Sequence, residues 1–314
     1  MNIVFFGSSK FAVPSLKALL ASKHKVLCVL TQPDKQKGRG LHFTGTAIKA
    51  VATESDIKVY QPRNVNDEEP VKLLKSLKPD LFVVIAYGQI LSSNVLDIPR
   101  LLPINVHASL LPELRGAAPI NWAIIRGDKL TGITVIKMTE KMDAGPVILR
   151  QEIKISDDDT AVTLEGALSD MAARLLMDSI GSIEDNSYNL MPQDESGVSF
   201  APKLKKQDGQ IDWNNPASGI YNLIRGCINW PGAYTHYKDK LLKIYKAGIS
   251  SDACFAGPSL PGKILGISKK GITVATREGN LIIEELQIEG KRNMKAEEFI
   301  AGHKVLIGDM LLKK

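Results

Sequence analysis

The stretch of sequence that decides the fold is residues 102–112, LPINVHASLLP. It follows a second mostly apolar run at residues 79–90, PDLFVVIAYGQI. Short apolar runs bounded by proline and glycine are typical of strands buried on both faces of a parallel sheet. The two runs therefore predict consecutive strands of an α/β sheet.

Two polar residues, Asn105 and His107, close the second of these strands. Alternation along a strand places both side chains on one face, and ligands of open α/β sheets bind beyond the carboxyl ends of the strands. An amide donor beside an imidazole can hold and polarise a carbonyl oxygen. Asp143 lies in a glycine-containing turn after the apolar run Gly132 to Met138, and from there it could orient the histidine or relay a proton.

Asn-x-His alone is weak support for catalysis, because a single histidine in a β-rich stretch is more often structural. The wider pattern is more specific. Asn105-x-His107 is followed by SLLP at residues 109–112, by Arg-Gly at 115–116 and by Asp-x-Gly at 143–145. This combination resembles the formyltetrahydrofolate-dependent formyltransferases. The resemblance implies that Asn105, His107 and Asp143 are the catalytic residues, and that the loop of Ser109, Leu110, Leu111 and Pro112 contacts the folate.

Composition indicates a cytoplasmic enzyme with two domains. The chain has 314 residues, of which 44% are hydrophobic and 24% charged, enough for two cores. No apolar run reaches the length of a membrane span, and a core strand begins at the first residues, so we expect no leader peptide and no membrane partner. The three cysteines have no metal spacing, which predicts neither a disulfide framework nor a zinc site.

The first part of the chain alternates predicted strands and helices, as a parallel, Rossmann-like doubly wound sheet requires. The first strand is Ile3 to Phe6, and Lys25 to Thr31 is the second, with a helix from Phe11 to Ser22 between them. The pattern Gly-x-Gly-x-x-Gly is absent from the turn at residues 7–9, which argues against nicotinamide dinucleotide binding. We assign residues 1–189 to this catalytic domain.

Polar residues accumulate after the long helix predicted from Asp159 to Glu184, so we expect a linker at residues 190–205 and a second domain at 206–314. That domain contains five short predicted strands, the pattern of a small β-barrel. The resemblance implies that this domain is OB-like. The strands are Ala233 to Tyr237, Lys240 to Ala247, Gly262 to Ile267, Gly271 to Thr276 and Asn280 to Gln287, with a helix at Lys295 to Ile300.

Positive charge is concentrated in the second domain, which has 16 Lys and Arg against 11 Asp and Glu, whereas residues 1–205 have 24 against 23. A modest basic excess is common on plain surfaces, but on a barrel with a groove it favours a polyanionic partner. A loop dense in Lys, Arg and Gly follows the second strand and contains Lys35, Lys37 and Arg39. Composition alone favours a flexible surface loop there.

With TQPD at residues 31–34, GRG at 38–40 and IDW at 211–213, the whole chain resembles the branch of the family that formylates methionine on initiator tRNA. This implies 10-formyltetrahydrofolate as co-substrate, no metal, initiator Met-tRNA as partner, a monomer, and tRNA binding by Arg39, Lys35 and Lys37. Two alternatives remain open. A formyltransferase acting on a small-molecule or nucleotide-sugar amine explains only the first domain, and a non-catalytic RNA-binding module explains only the second.

The expected reaction is attack of the methionine α-amine on the formyl carbon. Asn105 and a protonated His107 would stabilise the tetrahedral oxyanion, an interaction of about 3 kcal/mol per donor. Asp143 would keep His107 cationic and help to move protons, directly or through water.

Overall fold

The computed structural model describes residues 1–37, 42–250 and 259–312, and for residues 36, 37, 42 and 43 it describes only the backbone. The described residues form two compact units. The first unit comprises Met1–Pro119, Leu130–Lys154 and Glu165–Pro202, and the second comprises Ile120–Lys129, Ile155–Leu164 and Lys203–Lys314. The first unit contains strands β1 to β11, which are Asn2–Gly7, Lys25–Leu30, Lys35–Lys37, His42–Thr44, Val59–Tyr60, Leu81–Ile85, Leu102–His107, Arg115–Gly116, Leu130–Lys137, Val147–Lys154 and Phe200–Ala201.

The central sheet of the first unit has seven strands in the order β10-β9-β7-β6-β1-β2-β5. Strands β5, β2, β1, β6 and β7 are parallel, which confirms the predicted Rossmann-like core. At one edge of the sheet, β9 is antiparallel to both β7 and β10. The connection between β9 and β10 is only residues 138–146, too short for the crossover that a parallel pair needs.

Strand β6 is shorter than the predicted run of residues 79–90. It ends at Ile85 because Ala86 and Gly88 both have positive φ angles, +47° and +85°, and turn the chain away from the sheet. The next residue inside this turn, Tyr87, returns to the core and packs edge-on against Phe6 of β1. Phe6 also packs edge-on against Phe82 near the start of β6, so Phe6, Phe82 and Tyr87 form one aromatic cluster.

Helices α1 to α8 confirm every long helix that the sequence predicts, with small changes at the ends. The helix expected from Phe11 starts with a 3₁₀ turn at Lys10–Ala12, since Pro14 fits only the first turn of the α-helix that follows. The eight helices are Val13–Leu20, Ala47–Glu54, Glu68–Leu77, Ser93–Leu96, Pro119–Arg126, Ala161–Glu184, Ala217–Gly226 and Ala296–Gly302.

The second unit contains a curled antiparallel sheet in the order β14-β15-β16-β13-β12-β18, and β17 pairs with β16. All five predicted strands are present, and with the two short ones they form the half-barrel of an OB-like domain. Its core includes Trp213, Ile244, Leu286 and Phe299. Strands β12 to β18 are Ala233–Tyr237, Lys240–Ser250, Ile264–Ser268, Gly271–Ala275, Asn280–Ile288, Met294–Lys295 and Leu311–Leu312.

The predicted linker at residues 190–205 contains structure. Glu195–Gly197 forms a 3₁₀ turn, and β11 pairs in parallel with β8 through Arg115 with Phe200 and Gly116 with Ala201. The predicted domain limits at residues 189 and 206 stay a prediction, although the compact units meet at Pro202 and Lys203, inside the predicted linker.

Candidate active site

Strand β7 carries two of the predicted catalytic residues, Asn105 and His107. The strand is paired on both sides, with Asn105 opposite Val84 of β6 and Ile136 of β9. His107 is 6% exposed and Asn105 is half-buried. Regular pairing on both edges holds the backbone of β7 and places the two polar side chains on one face, as alternation predicts.

Asp143 lies in the turn between β9 and β10, and the structure brings its carboxylate to both of these residues. Oδ1 accepts a hydrogen bond from Asn105 Nδ2 at 3.3 Å, and Oδ2 lies 3.6 Å from His107 Nδ1. Oδ2 also accepts from the backbone N–H of Gly116 at 2.9 Å. The carboxylate therefore connects three separate chain segments.

The turn that carries Asp143 depends on unusual backbone geometry. Asp143 itself has a φ of +51°, in the left-handed region that most non-glycine residues avoid. Two residues later, a Cβ atom on Gly145 would lie 1.7 Å from the backbone oxygen of Lys137. The glycine of the Asp-x-Gly motif is therefore needed for the close approach of the two chain segments.

His107 is held from its other side by Leu114. His107 Nε2 lies 3.0 Å from the Leu114 carbonyl oxygen, and since a carbonyl only accepts, Nε2 carries a proton. The nitrogen that remains for chemistry is Nδ1, which faces Asp143. Leu114 has a φ of +58°, and its own N–H donates to Ser199 Oγ at 3.0 Å.

The four residues of the predicted folate loop differ in what they expose. Ser109 is buried, and its Oγ donates to the carbonyl of Glu113 at 2.6 Å, inside the same loop. Leu111 is 1% exposed and packs in the core against Ile136 and Val147. Leu110 and Pro112 are half-buried and can offer a side-chain surface to a ligand, whereas Ser109 and Leu111 are each 1% exposed.

Leu110, Leu111 and Pro112 border a cavity of about 680 Å³ in the first unit. None of Asn105, His107 and Asp143 lines it, so this cavity is separate from the three catalytic candidates. The remaining lining residues are Glu113, Arg150, Glu152, Asp194 and Gly197.

Three residues that the sequence did not single out support the site, Leu114, Gln193 and Ser199, together with Arg115 of the Arg-Gly motif. Arg115 is 7% exposed, and its guanidinium donates to Gln193 Oε1 from Nε at 3.1 Å and from Nη2 at 2.8 Å. It also pairs with Glu195 at 2.9 Å, and this contact lowers the pKa of the Glu195 carboxyl below its usual value. Gln193 and Ser199 lie in the segment predicted as a linker, where no motif marked them.

The predicted tRNA loop is described only in part. Lys35 is exposed and pairs through its backbone with Thr44, and the backbone of Lys37 belongs to the same β3–β4 pair. Arg39 lies outside the described residues. Asp34 lies just before the loop, and its carboxylate is 2.6 Å from Lys49 Nζ. This contact lowers the pKa of the Asp34 carboxyl.

Within the described residues, no three His, Cys, Asp or Glu side chains are arranged to hold a metal ion. No helix in that part of the chain has the length and apolar character needed to cross a bilayer. The thiols of Cys28 and Cys227 are buried, and burial raises the pKa of each to about 12.

Comparisons with known proteins show which family the chain resembles over its length. The family model "Formyl transferase" matches residues 1–180, and "Formyl transferase, C-terminal domain" matches residues 203–304. A methionyl-tRNA formyltransferase of Thermodesulfovibrio yellowstonii is 45% identical over 304 residues, covering 97% of this chain and 96% of that protein.

Two solved structures share the fold at low identity. The sugar 3N-formyl transferase WlaRD, crystallised with dTDP and 5-N-formyl-THF, has a TM-score of 0.69 at 20% identity and covers 93% of this chain and 99% of its own. HypX from Aquifex aeolicus, in complex with tetrahydrofolic acid, has a TM-score of 0.62 at 16% identity. The match covers 96% of this chain but only 47% of HypX, so this chain spans about half the length of HypX.

Proposed function

The chain belongs to the methionyl-tRNA formyltransferase family, and from this premise we propose that it transfers the formyl group of 10-formyltetrahydrofolate to the α-amine of methionine on initiator tRNA. The observation that carries the proposal is the meeting of Asn105, His107 and Asp143 at the end of β7. A full-length relative at 45% identity favours tRNA over a sugar amine as the acceptor, because the sugar-formylating structures share only the fold.

The donors in the site fit a formyl group. Asn105 uses one amide N–H toward Asp143 and has a second for the formyl oxygen. 10-Formyltetrahydrofolate, when bound, would supply that formyl group. The bond between the formyl carbon and N10 would break, and N10 would take up the proton that the acceptor amine loses. The loop of Ser109, Leu110, Leu111 and Pro112 would bind the folate mainly through Leu110 and Pro112, which are half-buried rather than buried.

The chain's own residues then act on charge and protons. Asn105 donates to the formyl oxygen as negative charge develops there, and protonated His107 offers Nδ1–H while Nε2–H remains bound to Leu114. Asp143 balances the charge of the imidazolium and accepts the proton that the attacking amine loses, directly or through water. The acceptor amine must therefore approach the Asn105–Asp143 edge of the site.

One assay tests the proposed reaction. Purified protein with 10-formyltetrahydrofolate is given initiator Met-tRNA, glycinamide ribonucleotide or a dTDP-amino sugar, and formylated product is measured. We expect formylated product with initiator Met-tRNA and none with glycinamide ribonucleotide or the dTDP-amino sugar. Turnover with a small-molecule amine but none with Met-tRNA would replace the proposal by the alternative activity.

Recognition of tRNA is proposed for two parts of the chain. Lys35, Lys37 and Arg39 in the loop after β2 would contact the acceptor end, and the basic domain of residues 206–314 would contact the phosphate backbone. Arg39→Ala should cost about 1–3 kcal/mol, mostly as lost preference for initiator over elongator Met-tRNA. An unchanged ratio of kcat/KM for the two tRNAs, with unchanged rates, would leave the loop without a role in recognition.

We also propose that the protein acts in the cytoplasm as a monomer, with residues 1–189 as the catalytic domain. The absence of a spanning helix among the described residues is compatible with this location. Sedimentation of the free protein at micromolar concentration tests the monomer, and a dimer there would contradict it.

A further inference from the structure

The segment that joins the two predicted domains contacts Asp143 directly through Gln193 and reaches His107 indirectly, through the contact of Ser199 with Leu114. We propose that the side chains of Gln193 and Ser199, which we call the 193/199 clamp, are positioning residues for the reaction. Each holds a different member of the His107–Asp143 pair in place. This inference rests on the proposed function for its kinetic test but has a second test that does not.

The first arm of the clamp is Gln193, which holds the turn of Asp143. Its Nε2 donates to the carbonyl oxygens of Asp143 at 2.8 Å and Gly145 at 2.7 Å. Asp143 has a positive φ, a conformation that non-glycine residues adopt rarely, although aspartate does so more often than most. The two hydrogen bonds to the carbonyl oxygens of Asp143 and Gly145 hold the backbone of the turn in this conformation.

Arg115 fixes the orientation of the Gln193 amide. Its guanidinium donates twice to Oε1, at 3.1 and 2.8 Å, so Oε1 must face the arginine and Nε2 must face the two carbonyls. The reversed amide would set donors against the guanidinium and an oxygen against carbonyl oxygens. The hydrogen bonds thus leave Gln193 one favourable orientation, the one that holds the Asp143 turn.

The second arm is Ser199, which holds His107 through Leu114. Ser199 Oγ accepts from the N–H of Leu114 at 3.0 Å, and the carbonyl of Leu114 binds His107 Nε2 at 3.0 Å. Leu114 is also left-handed, with a φ of +58°. Ser199 therefore fixes the carbonyl that sets both the tautomer and the orientation of the imidazole.

The two arms meet at the contact between His107 and Asp143. Nδ1 and Oδ2 are 3.6 Å apart, beyond a normal hydrogen bond, so small shifts of either arm change how the pair approaches a substrate. Displacement of a catalytic group by about 1 Å can lower a rate 100-fold. Loss of either arm should therefore lower kcat by about 10- to 100-fold and leave KM within about twofold.

Gln193→Glu separates the two roles of the glutamine. Glutamate still accepts from Arg115, but it has no donor for the carbonyls of Asp143 and Gly145. We expect Gln193→Glu to be as slow as Gln193→Ala, while Gln151→Glu, a matched change at an exposed position of β10, keeps full activity. Full activity of Gln193→Glu would show that Gln193 serves only to pair Arg115 and would overturn this arm.

For the second arm we compare Ser199→Ala with Ser199→Thr, which keeps the hydroxyl. The control is Ser196→Ala, because the Ser196 hydroxyl donates to the side chain of Asp194. Ser199→Ala should be slow, and the other two should be close to wild type. In a His107→Ala background, Ser199→Ala should have no further effect. An additive loss there, or a fall in Tm that accounts for the loss in rate, would indicate general structural support and would overturn the proposal.

The second test needs no substrate. The ¹⁵N chemical shift of His107 Nε2 reports the hydrogen bond at that nitrogen. We expect this chemical shift to change in Ser199→Ala and to stay the same in Ser196→Ala. If the signal moves in Ser199→Ala but the wild-type protein does not formylate Met-tRNA, the proposed function is contradicted and the positioning role stands. An unmoved signal in Ser199→Ala would overturn the positioning role, whatever the activity.

Discussion

Asn105 and His107 are held in a different way from Asp143. The first two residues are on β7, whose backbone is paired with β6 over residues 102–105 and with β9 over residues 104–107. Asp143 is on a left-handed turn that depends on Gly145 and on the side chain of Gln193, 50 residues away in the sequence. The strand supplies a fixed frame by itself, whereas the turn depends on several other segments, so the two sides of one site should respond differently to mutation.

The largest effect should come from the strand side. His107→Ala should lower kcat by about 1000-fold and Asn105→Ala by about 100- to 1000-fold, because each removes a donor to the developing charge. The fold should survive, since β7 keeps its backbone pairing. Formylation rates and circular dichroism of both variants check this, and near-normal turnover in a folded His107→Ala protein would remove His107 from the reaction.

On the turn side, Asp143→Asn should lower kcat by about 100-fold while tRNA affinity stays within about twofold. The amide keeps the shape of the carboxylate and can still accept from the N–H of Gly116, but it has no charge to balance an imidazolium. The pH-rate profile should also change shape. If that profile is identical to wild type, Asp143 does not act through the protonation of His107.

Gly145→Ala should damage the turn more than the strand. A Cβ there would overlap the oxygen of Lys137, so we expect a loss of about 1–3 kcal/mol in the free energy of unfolding. Gly181→Ala is the matched control, because a Cβ at that helical position meets nothing within 4 Å and should stabilise by about 0.4–1 kcal/mol. Urea unfolding of both variants measures the difference. Equal free energies of unfolding for the two variants would show that the turn can shift to accommodate a Cβ atom at residue 145.

The smallest effect should follow Glu195→Gln, since the Glu195 side chain is 73% exposed and exposed ion pairs contribute little. Arg115 lowers the pKa of this carboxyl, so the pair stabilises the fold above the ordinary carboxyl pKa and the stabilisation is lost as pH falls through the lowered pKa. The Tm of wild type should exceed that of the variant slightly at pH 7, and the difference should vanish in acid. A difference that grows in acid would contradict this sign. Glu54→Gln, at an exposed position of α2, serves as the control.

Much of the frame could be predicted from the sequence, because local patterns carry it. Apolar runs gave the parallel core strands, and alternation placed Asn105 and His107 on one face of β7. The Asp-x-Gly pattern pointed to the turn of Asp143. Each of these signals lies within a few residues of the feature it predicts.

The parts that the sequence did not reveal are contacts between distant segments. Gln193 and Ser199 look like ordinary polar linker residues, and only the folded chain brings them to Asp143 and Leu114. The sequence also did not reveal that the Ser109 hydroxyl binds inside its own loop and that Leu111 packs in the core. The reversed direction of β9 also follows from tertiary pairing and has no local signature.

The order in which the compact units are encoded has a consequence for synthesis on the ribosome. Residues 120–129 and 155–164 belong to the second unit, and their partners come much later: Asn121 Nδ2 donates to the carbonyl of Gly226, and Arg225 donates to the carbonyls of Ser156 and Asp159. While the chain is being made, these two early segments must wait for α7 before they can complete their unit. A protein released after residue 202 would therefore leave them without their hydrogen-bond partners, so premature termination should yield a species that chaperones and proteases recognise.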